Sequence, residues 1–404
     1  MALPTIRPTT AAKGPLFVSV LAGITLIGPL VLHMFFPVLP AVKLAFDASE
    51  SQIGLASSIP LFTMAVFTLV YGSLSDRYGR RPVLLAGLLL FVFGSELSAL
   101  AETIWTLIAG RFLQAAGAAC GMALARAIAR DVYGSDRLVK VLAYLLMAYA
   151  MGPMVAPAIG GYLADQFGWR SVLAFASGIG ILITGLAYFV ISETHHRPQN
   201  SPNRSSLFSG YGRLFKNVDF TAYVLQSGFC SGAFFTMAPA AAFLMSDYLG
   251  RPATEYGLYF LFFPVGYWMG NFVSSRLSGR IAIDVMVFAG STLLILTALA
   301  LAVLMVFGFV SPLTIFIPGF LLTFAQGMAL PNAQAGALNV DHDLAGTASG
   351  IGTFMQFFWA AVFTQLYSVF DDGTPIPMVI TVSLSACLSF AAGTIPFLRS
   401  RPQI

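Results

Sequence analysis

The chain has 404 residues, 57 % of them hydrophobic and only 9 % charged, with a formal net charge of +4. Soluble domains carry roughly 25 % charged residues, so this composition cannot clothe a water-soluble surface. The basic residues lie in short segments between apolar blocks, which argues against nucleic acid as a partner.

The apolar blocks run to about 20 residues or more, the length that crosses about 30 Å of hydrocarbon as a helix. The alternating ten-residue pattern of a membrane barrel is absent. Twelve spans are expected in chain order: 15–42, 52–75, 82–101, 104–130, 139–164, 169–192, 218–246, 253–275, 283–309, 311–338, 344–370 and 374–398. The predicted class is an all-α integral membrane protein. The first run follows Arg7 and Lys13 as a secretory signal would, but it exceeds an h-region of about 7–15 residues, so it reads as an uncleaved first helix. Only Ser311–Pro312 separates the ninth span from the tenth. Cys120, Cys230 and Cys387 all fall inside apolar blocks and give no disulfide framework.

Lysine and arginine concentrate on the cytoplasmic side of membrane proteins. With the N-terminus inside, 16 of the 21 basic residues fall in cytoplasmic segments. Lys43, Arg170 and Arg251 fall outside, and Arg111 and Arg126 lie within the fourth span. Both termini are therefore expected in the cytoplasm. A polar stretch rich in Ser, Pro, Asn and basic residues, 193–217, divides the chain into an N-terminal bundle (1–192) and a C-terminal bundle (218–404) of six helices each. Two equal halves around a linker suggest a duplicated transporter architecture.

Between the second and third spans stands GSLSDRYGRRPV, residues 72–83. Gly72 is expected to let the second and eleventh helices approach closely. Asp76 ends one helix. Arg77, Arg80 and Arg81 follow in a turn permitted by Gly79, and Pro82 suits the first turn of the next helix. This string resembles the loop that marks the major facilitator superfamily, and the resemblance covers essentially the whole chain. At the equivalent place in the second half, GNFVSSRLSGR (270–280) reads as a decayed copy, with Ser275 where the first half has Asp76. In that family the loop acid bonds near the start of helix eleven and holds the cytoplasmic side shut. Here Asp341 and Asp343 precede that helix. Asp343 can serve as an N-cap, and either acid can pair with the loop arginines when the inner gate closes.

Arg111 lies about two turns inside the fourth span. A charge at mid-bilayer costs about 2.5–3.5 kcal/mol, so it should face a cavity or a partner, or act as a clamp between helices. Gln114 shares its face, and Gly117 with Gly121 suits close helix packing. Arg126 and Arg130 can reach headgroups and receive no transport role. The fifth span holds Gly152, Pro153, Pro157, Gly160 and Gly161, a helix able to kink or pivot. It resembles the motif of drug-exporting members. FFPVLPAV, ARDVYG and DHDLAGTASG narrow the likeness to the Bcr/CflA branch. Its members export drugs such as bicyclomycin and chloramphenicol-type antibiotics in exchange for protons.

In that branch helix one usually carries Asp four residues before Pro37. Here the position is His33. Histidine titrates near neutral pH but offers no anion to attract lipophilic cations, so the exchange favours neutral or anionic substrates. His33 can also be a packed, neutral residue. Glu96 either reaches water or pairs with Arg111. The proton-coupling candidates are thus His33, Glu96 and Arg111. Candidate cavity residues are His33, Met34, Gln114, Gln226, Phe229, Phe234, Phe235, Tyr259, Tyr267, Asn271, Gln326, Asn332, Gln356 and Phe357. An apolar cavity with few polar groups suits drug-sized amphiphiles. The expected activity is proton-exchanging drug export by a functional monomer in a bacterial inner membrane, its partners being a small molecule, protons and lipid. A metabolite transporter of the same fold is the alternative. No cofactor, metal or catalytic constellation is implied.

Overall fold

The computed structural model describes residues 14–133, 135–194, 209–341 and 344–400. Regular structure among them is helical apart from one isolated bridge between Ser278 and Ile281. Ten helices are long and apolar enough to cross a membrane.

The first apolar run is a broken helix. α1 (Pro15–Met34) ends in a 3₁₀ turn over Phe36–Val38 before α2 (Leu39–Phe46). Pro37 and Pro40 cause the break, since neither has an N–H to continue the ladder. A capping box of Ser49 and Gln52 then starts α3 (Glu50–Tyr78). Gly79, at φ 99°, makes the turn into α4 (Arg80–Ala99), a backbone region that L side chains rarely enter. α5 (Ile104–Val132), α6 (Ser135–Phe167) and α7 (Trp169–Val190) complete the first half.

The linker contributes one short helix, α8 (Ser209–Phe215), and its residues 195–208 lie outside the described set. Asn217 caps α9 (Val218–Phe243), its side-chain oxygen accepting from the Asp219 and Phe220 amides. The eighth expected span is two helices, α10 (Ala253–Tyr259) and α11 (Phe262–Leu277). Pro264 leaves the Phe260 carbonyl without its i+4 donor and crowds it. α12 (Ile283–Val306), α13 (Pro312–Asn339), α14 (Ala345–Phe370) and α15 (Ile376–Arg399) follow. The capping box of Ser311 and Thr314 is what separates α12 from α13.

α1 and α3–α7 pack chiefly among themselves, as do α9 and α11–α15. The two groups meet along α3 with α14 and α6 with α10. The start of α1 and the end of α15 mark one end of the molecule, the terminal end. There Arg399 pairs with Asp219 at 2.9 Å, and Phe17 lies against Tyr133. The starts of α3 and α10 and the ends of α6 and α14 form the far end.

Candidate functional site: the seam between the halves

The α1 break sets His33 in the last turn of α1, facing the other half. Its ring centroid lies 5.5 Å from Phe36, 6.1 Å from Phe234, 6.1 Å from Phe235 and 6.0 Å from Phe260. Phe36 comes from the first half and the other three from α9 and the α10–α11 break. His33 is 6 % exposed. Its Nδ1 is 2.6 Å from the Pro29 carbonyl. A carbonyl can only accept, so Nδ1 carries a proton there, and Nε2 is the atom left to gain or lose one. Phe357 extends the cage from α14, 6.5 Å from Phe235. Buried Met34 lies beside it.

Arg111 is 1 % exposed inside the first half. Its Nη1 donates to Gln114 Oε1 at 2.5 Å, and Gln114 Nε2 donates to Ser95 Oγ at 2.8 Å. The guanidinium stacks 4.1 Å from the Phe35 ring centre, and Nε has no hydrogen-bond partner. The partners are an amide and an aromatic face, not a carboxylate. Glu96 accepts instead from Ser177 Oγ at 2.5 Å, joining α4 to α7.

α6 touches both halves at once. A Cβ on Gly152 would meet Pro29 Cβ at 2.7 Å, and one on Gly160 would meet the Met34 carbonyl at 2.3 Å, both on α1. A Cβ on Gly161 would lie 2.3 Å from the Ala253 carbonyl of the other half. Gly257 in turn lies against the Pro157 carbonyl. The glycines and prolines of the fifth span therefore sit where α1, α6 and α10 converge.

The far end is sealed by polar contacts. Asp165, at the end of α6, accepts from the backbone N–H of Ala253 at 3.2 Å and of Thr254 at 2.7 Å. These are orphan donors of α10, whose own N-cap residue, Pro252, supplies no side-chain cap. One half thus caps a helix of the other. Ser58 donates to Gln365 at 2.8 Å, and Gln365 donates to Ser51. Lys43 pairs with Glu50 and lies 3.7 Å from Asp247 across the seam. Burial lifts the nearby Asp371 carboxyl above the usual range, against the opposing pull of the Tyr367 hydroxyl and the Gly373 amide. Replacing an N-cap acid by alanine costs about 1 kcal/mol. Asp165→Ala should shift the sealed-to-open ratio roughly fivefold toward open. Labelling of a cysteine placed at Ser58, which is 4 % exposed, should rise in proportion; unchanged labelling would mean the cap does not hold the seam.

The basic loop forms a network within the first half. Arg80 bonds Asp76 at 2.7 Å, Asp131 at 3.0 Å and Ser75 Oγ at 2.5 Å. Glu193 accepts from the Arg80 and Arg81 amides at 3.0 and 3.2 Å, capping α4. Arg81 also donates to the Tyr188 carbonyl. A Cβ on Gly72 would meet nothing within 4 Å, so the expected close approach of α3 and α14 at Gly72 is absent in this conformation. Asp341 pairs with Arg213 of α8 at 2.9 Å. Asp343 lies outside the described residues, and Leu344 is the N-cap of α14.

The remaining candidates divide. Phe234 is in the cage. Gln226 lies inside the second half, donating to Ser291 and Ser389, and Phe229 packs on Trp359 there. Tyr259 stacks on Phe316. Asn332 donates to Ser274 between α13 and α11, while Asn271 donates to the Tyr267 carbonyl on its own helix. Gln326 is 7 % exposed, and buried Gln356 Nε2 has no partner. Phe36, Phe260, Asp165 and Glu193 were not singled out from sequence. Asp165 had a signal: RPATE, residues 251–255, reads as a helix start with no capping side chain of its own.

Residues 21–364 match the Major Facilitator Superfamily. A bicyclomycin resistance protein homolog of Haemophilus influenzae is 25 % identical over 96 % of both chains. Multidrug resistance protein D of Escherichia coli is 27 % identical over 84 % of this chain and 85 % of that one. Multidrug resistance protein MdtL of Escherichia coli is 32 % identical over 58 % and 59 %. In fold the chain is similar to a bacterial homologue of the human lysosomal transporter Spinster, inward-facing and unoccupied, with TM-score 0.77, 16 % identity and coverage of 98 % and 100 %. It is also similar to a D-xylose-proton symporter, with TM-score 0.76, 14 % identity and coverage of 94 % and 96 %. With its apolar helices and this match over most of its length, the chain belongs to the major facilitator superfamily of multi-pass membrane transporters.

Proposed function

We propose that the protein exports drug-like amphiphiles, neutral or anionic, across a bacterial inner membrane in exchange for protons. The observation that carries this reading is the His33 cage: one titratable ring, walled by phenyl groups from both halves, at the point where the halves meet. The names of the bicyclomycin and multidrug resistance relatives support drugs as the cargo.

Twelve spans are counted when the α10–α11 pair and α14 join the ten apolar helices. Numbered so, the seams are second with eleventh and fifth with eighth. The second and fifth spans of the first half correspond to the eighth and eleventh of the second, so exchanging the halves turns one seam into the other, the relation a twofold-repeated bundle requires. Residues 1–192 and 218–404 are then the two bundles, with 193–217 a cytoplasmic linker and both termini in the cytoplasm. The far end is the periplasmic seal and the protein works as a monomer. His33, Glu96 and Arg111 remain the candidate proton carriers, with His33 placed to sense both cargo and seal.

Purified protein in vesicles with an imposed pH gradient tests the reading. Adding a neutral or anionic drug to the acceptor side should move protons against the drug, measured by a trapped pH dye. Cargo moving with protons, or without any proton movement, would favour a metabolite carrier and end the exchange reading.

A further inference from the structure

A groove of about 470 Å³ runs along the outside of the first half, between α4 and α7. Leu85, Leu89 and Val92 wall it from α4, and Ile181, Gly185 and Tyr188 from α7. Its side of the bundle follows from the helices. Gly87 and Gly94 turn α4 toward α5, where a Cβ would meet Cys120 at 2.7 Å and the Gln114 amide nitrogen at 2.2 Å. Ile183 turns α7 toward Gly23 of α1. The groove residues stand on the other flanks, and Leu89, Ile181 and Tyr188 are each more than half exposed. In a membrane-spanning chain that flank meets hydrocarbon.

The groove is apolar along its length and charged at one end. The Thr184 hydroxyl beside it is spent on the Gly180 carbonyl at 2.6 Å. α4 and α7 run in opposite directions, so Tyr188 stands beside the start of α4. There the Arg81 guanidinium lies 5.2 Å from the Tyr188 ring centre, and its Nη2 donates to the Tyr188 carbonyl at 2.8 Å. Its Nε has no hydrogen-bond partner. Among the described residues no carboxylate forms an ion pair with Arg81, whereas Arg80 next to it has Asp76 and Asp131. Glu193 is held at the Arg80 and Arg81 backbone amides. An arginine in this state attracts an anion, and its flat fork suits phosphate. From Leu85 to Val92 the apolar wall runs about 10 Å deeper at 1.5 Å per residue, which a phosphate alone would leave unused.

We propose that this groove holds one acyl chain of an anionic phospholipid from the leaflet at the terminal end, with its phosphate on Arg81 and its chain laid over Gly185. Basic pockets between spans select anionic headgroups in this way. The bound lipid bridges the start of α4 and the end of α7. The site stands apart from the His33 cage and needs no cargo.

Delipidated protein in detergent, titrated with phosphatidylglycerol or phosphatidylcholine of identical chains, tests it, with bound lipid counted by native mass spectrometry. The first phosphatidylglycerol should bind about fivefold tighter than the first phosphatidylcholine, the worth of one arginine beside an anionic headgroup. Arg81→Gln should make the two lipids about equal. Gly185→Leu should weaken both about tenfold, because the new side chain takes the apolar wall from the acyl chain. A Cβ at Gly185 meets nothing within 4 Å, and leucine suits a helix better than glycine, so this variant should melt no lower than the wild type. If Arg81→Gln fails to fold, Arg81→Lys, which keeps the charge without the fork, should still cut the preference to about threefold. Equal affinity of the wild type for the two lipids, or unchanged binding in Gly185→Leu, would overturn the site. Competition by glycerol 3-phosphate at the lipid's own concentration would assign Arg81 to a free phosphate. A dimer that disappears in Gly185→Leu would assign the groove to a second copy of the chain. Either result overturns the lipid site as well.

Discussion

His33→Asn is expected to reduce drug-driven proton movement in vesicles more than tenfold while changing drug binding only a few-fold. Asparagine keeps a donor for the Pro29 carbonyl and roughly fills the cage, so packing survives. It removes Nε2, the atom of the cage that can take up a proton. The phenyl rings around it also matter. An imidazolium gains from aromatic faces within about 6 Å, and four rings lie at 5.5–6.1 Å. Phe260→Leu should give an intermediate defect, because one face is lost and the nitrogen remains. Unaltered coupling in His33→Asn would move the proton path to Glu96 or Arg111.

Gly160→Leu and Gly161→Leu should fail in different ways although they are neighbours. At Gly160 the new side chain would drive into the Met34 carbonyl, part of the first half's own core. Backbone cannot yield there without parting α6 from α1, and overpacking of this kind costs about 1–3 kcal/mol or more. The expected result is a fall in melting temperature and poor recovery of protein. At Gly161 the clash is with the Ala253 carbonyl across the seam. The halves can relieve it by separating. Gly161→Leu should therefore melt near the wild type but label readily at a Ser58 cysteine and hold its far end open. Transport should fall at least tenfold, because a cycle locked on one side cannot turn over. Equal melting losses in the two variants would show that α6 and α10 belong to one packing unit.

Much of this protein is written in its sequence. Apolar block length fixes the helices, because a hydrocarbon layer admits only chains that satisfy their own backbone. The string from Gly72 to Val83 and the Gly–Pro pattern of the fifth span identify the family, since turn geometry and close packing constrain residue type locally. The helix break at Pro37 and Pro40 is equally local, and so is His33's position before it.

What the sequence leaves open depends on partners distant in the chain. Gln226 and Tyr267 look alike as polar or aromatic positions in spans, yet one is sealed inside the second half and the other keeps 36 % of its surface. Asp165 is an ordinary helix-end acid until the fold brings α10 to it, 88 residues later in the chain. Helix rotation decides both, and it is set by the packing of whole faces against other helices, a property no single span carries.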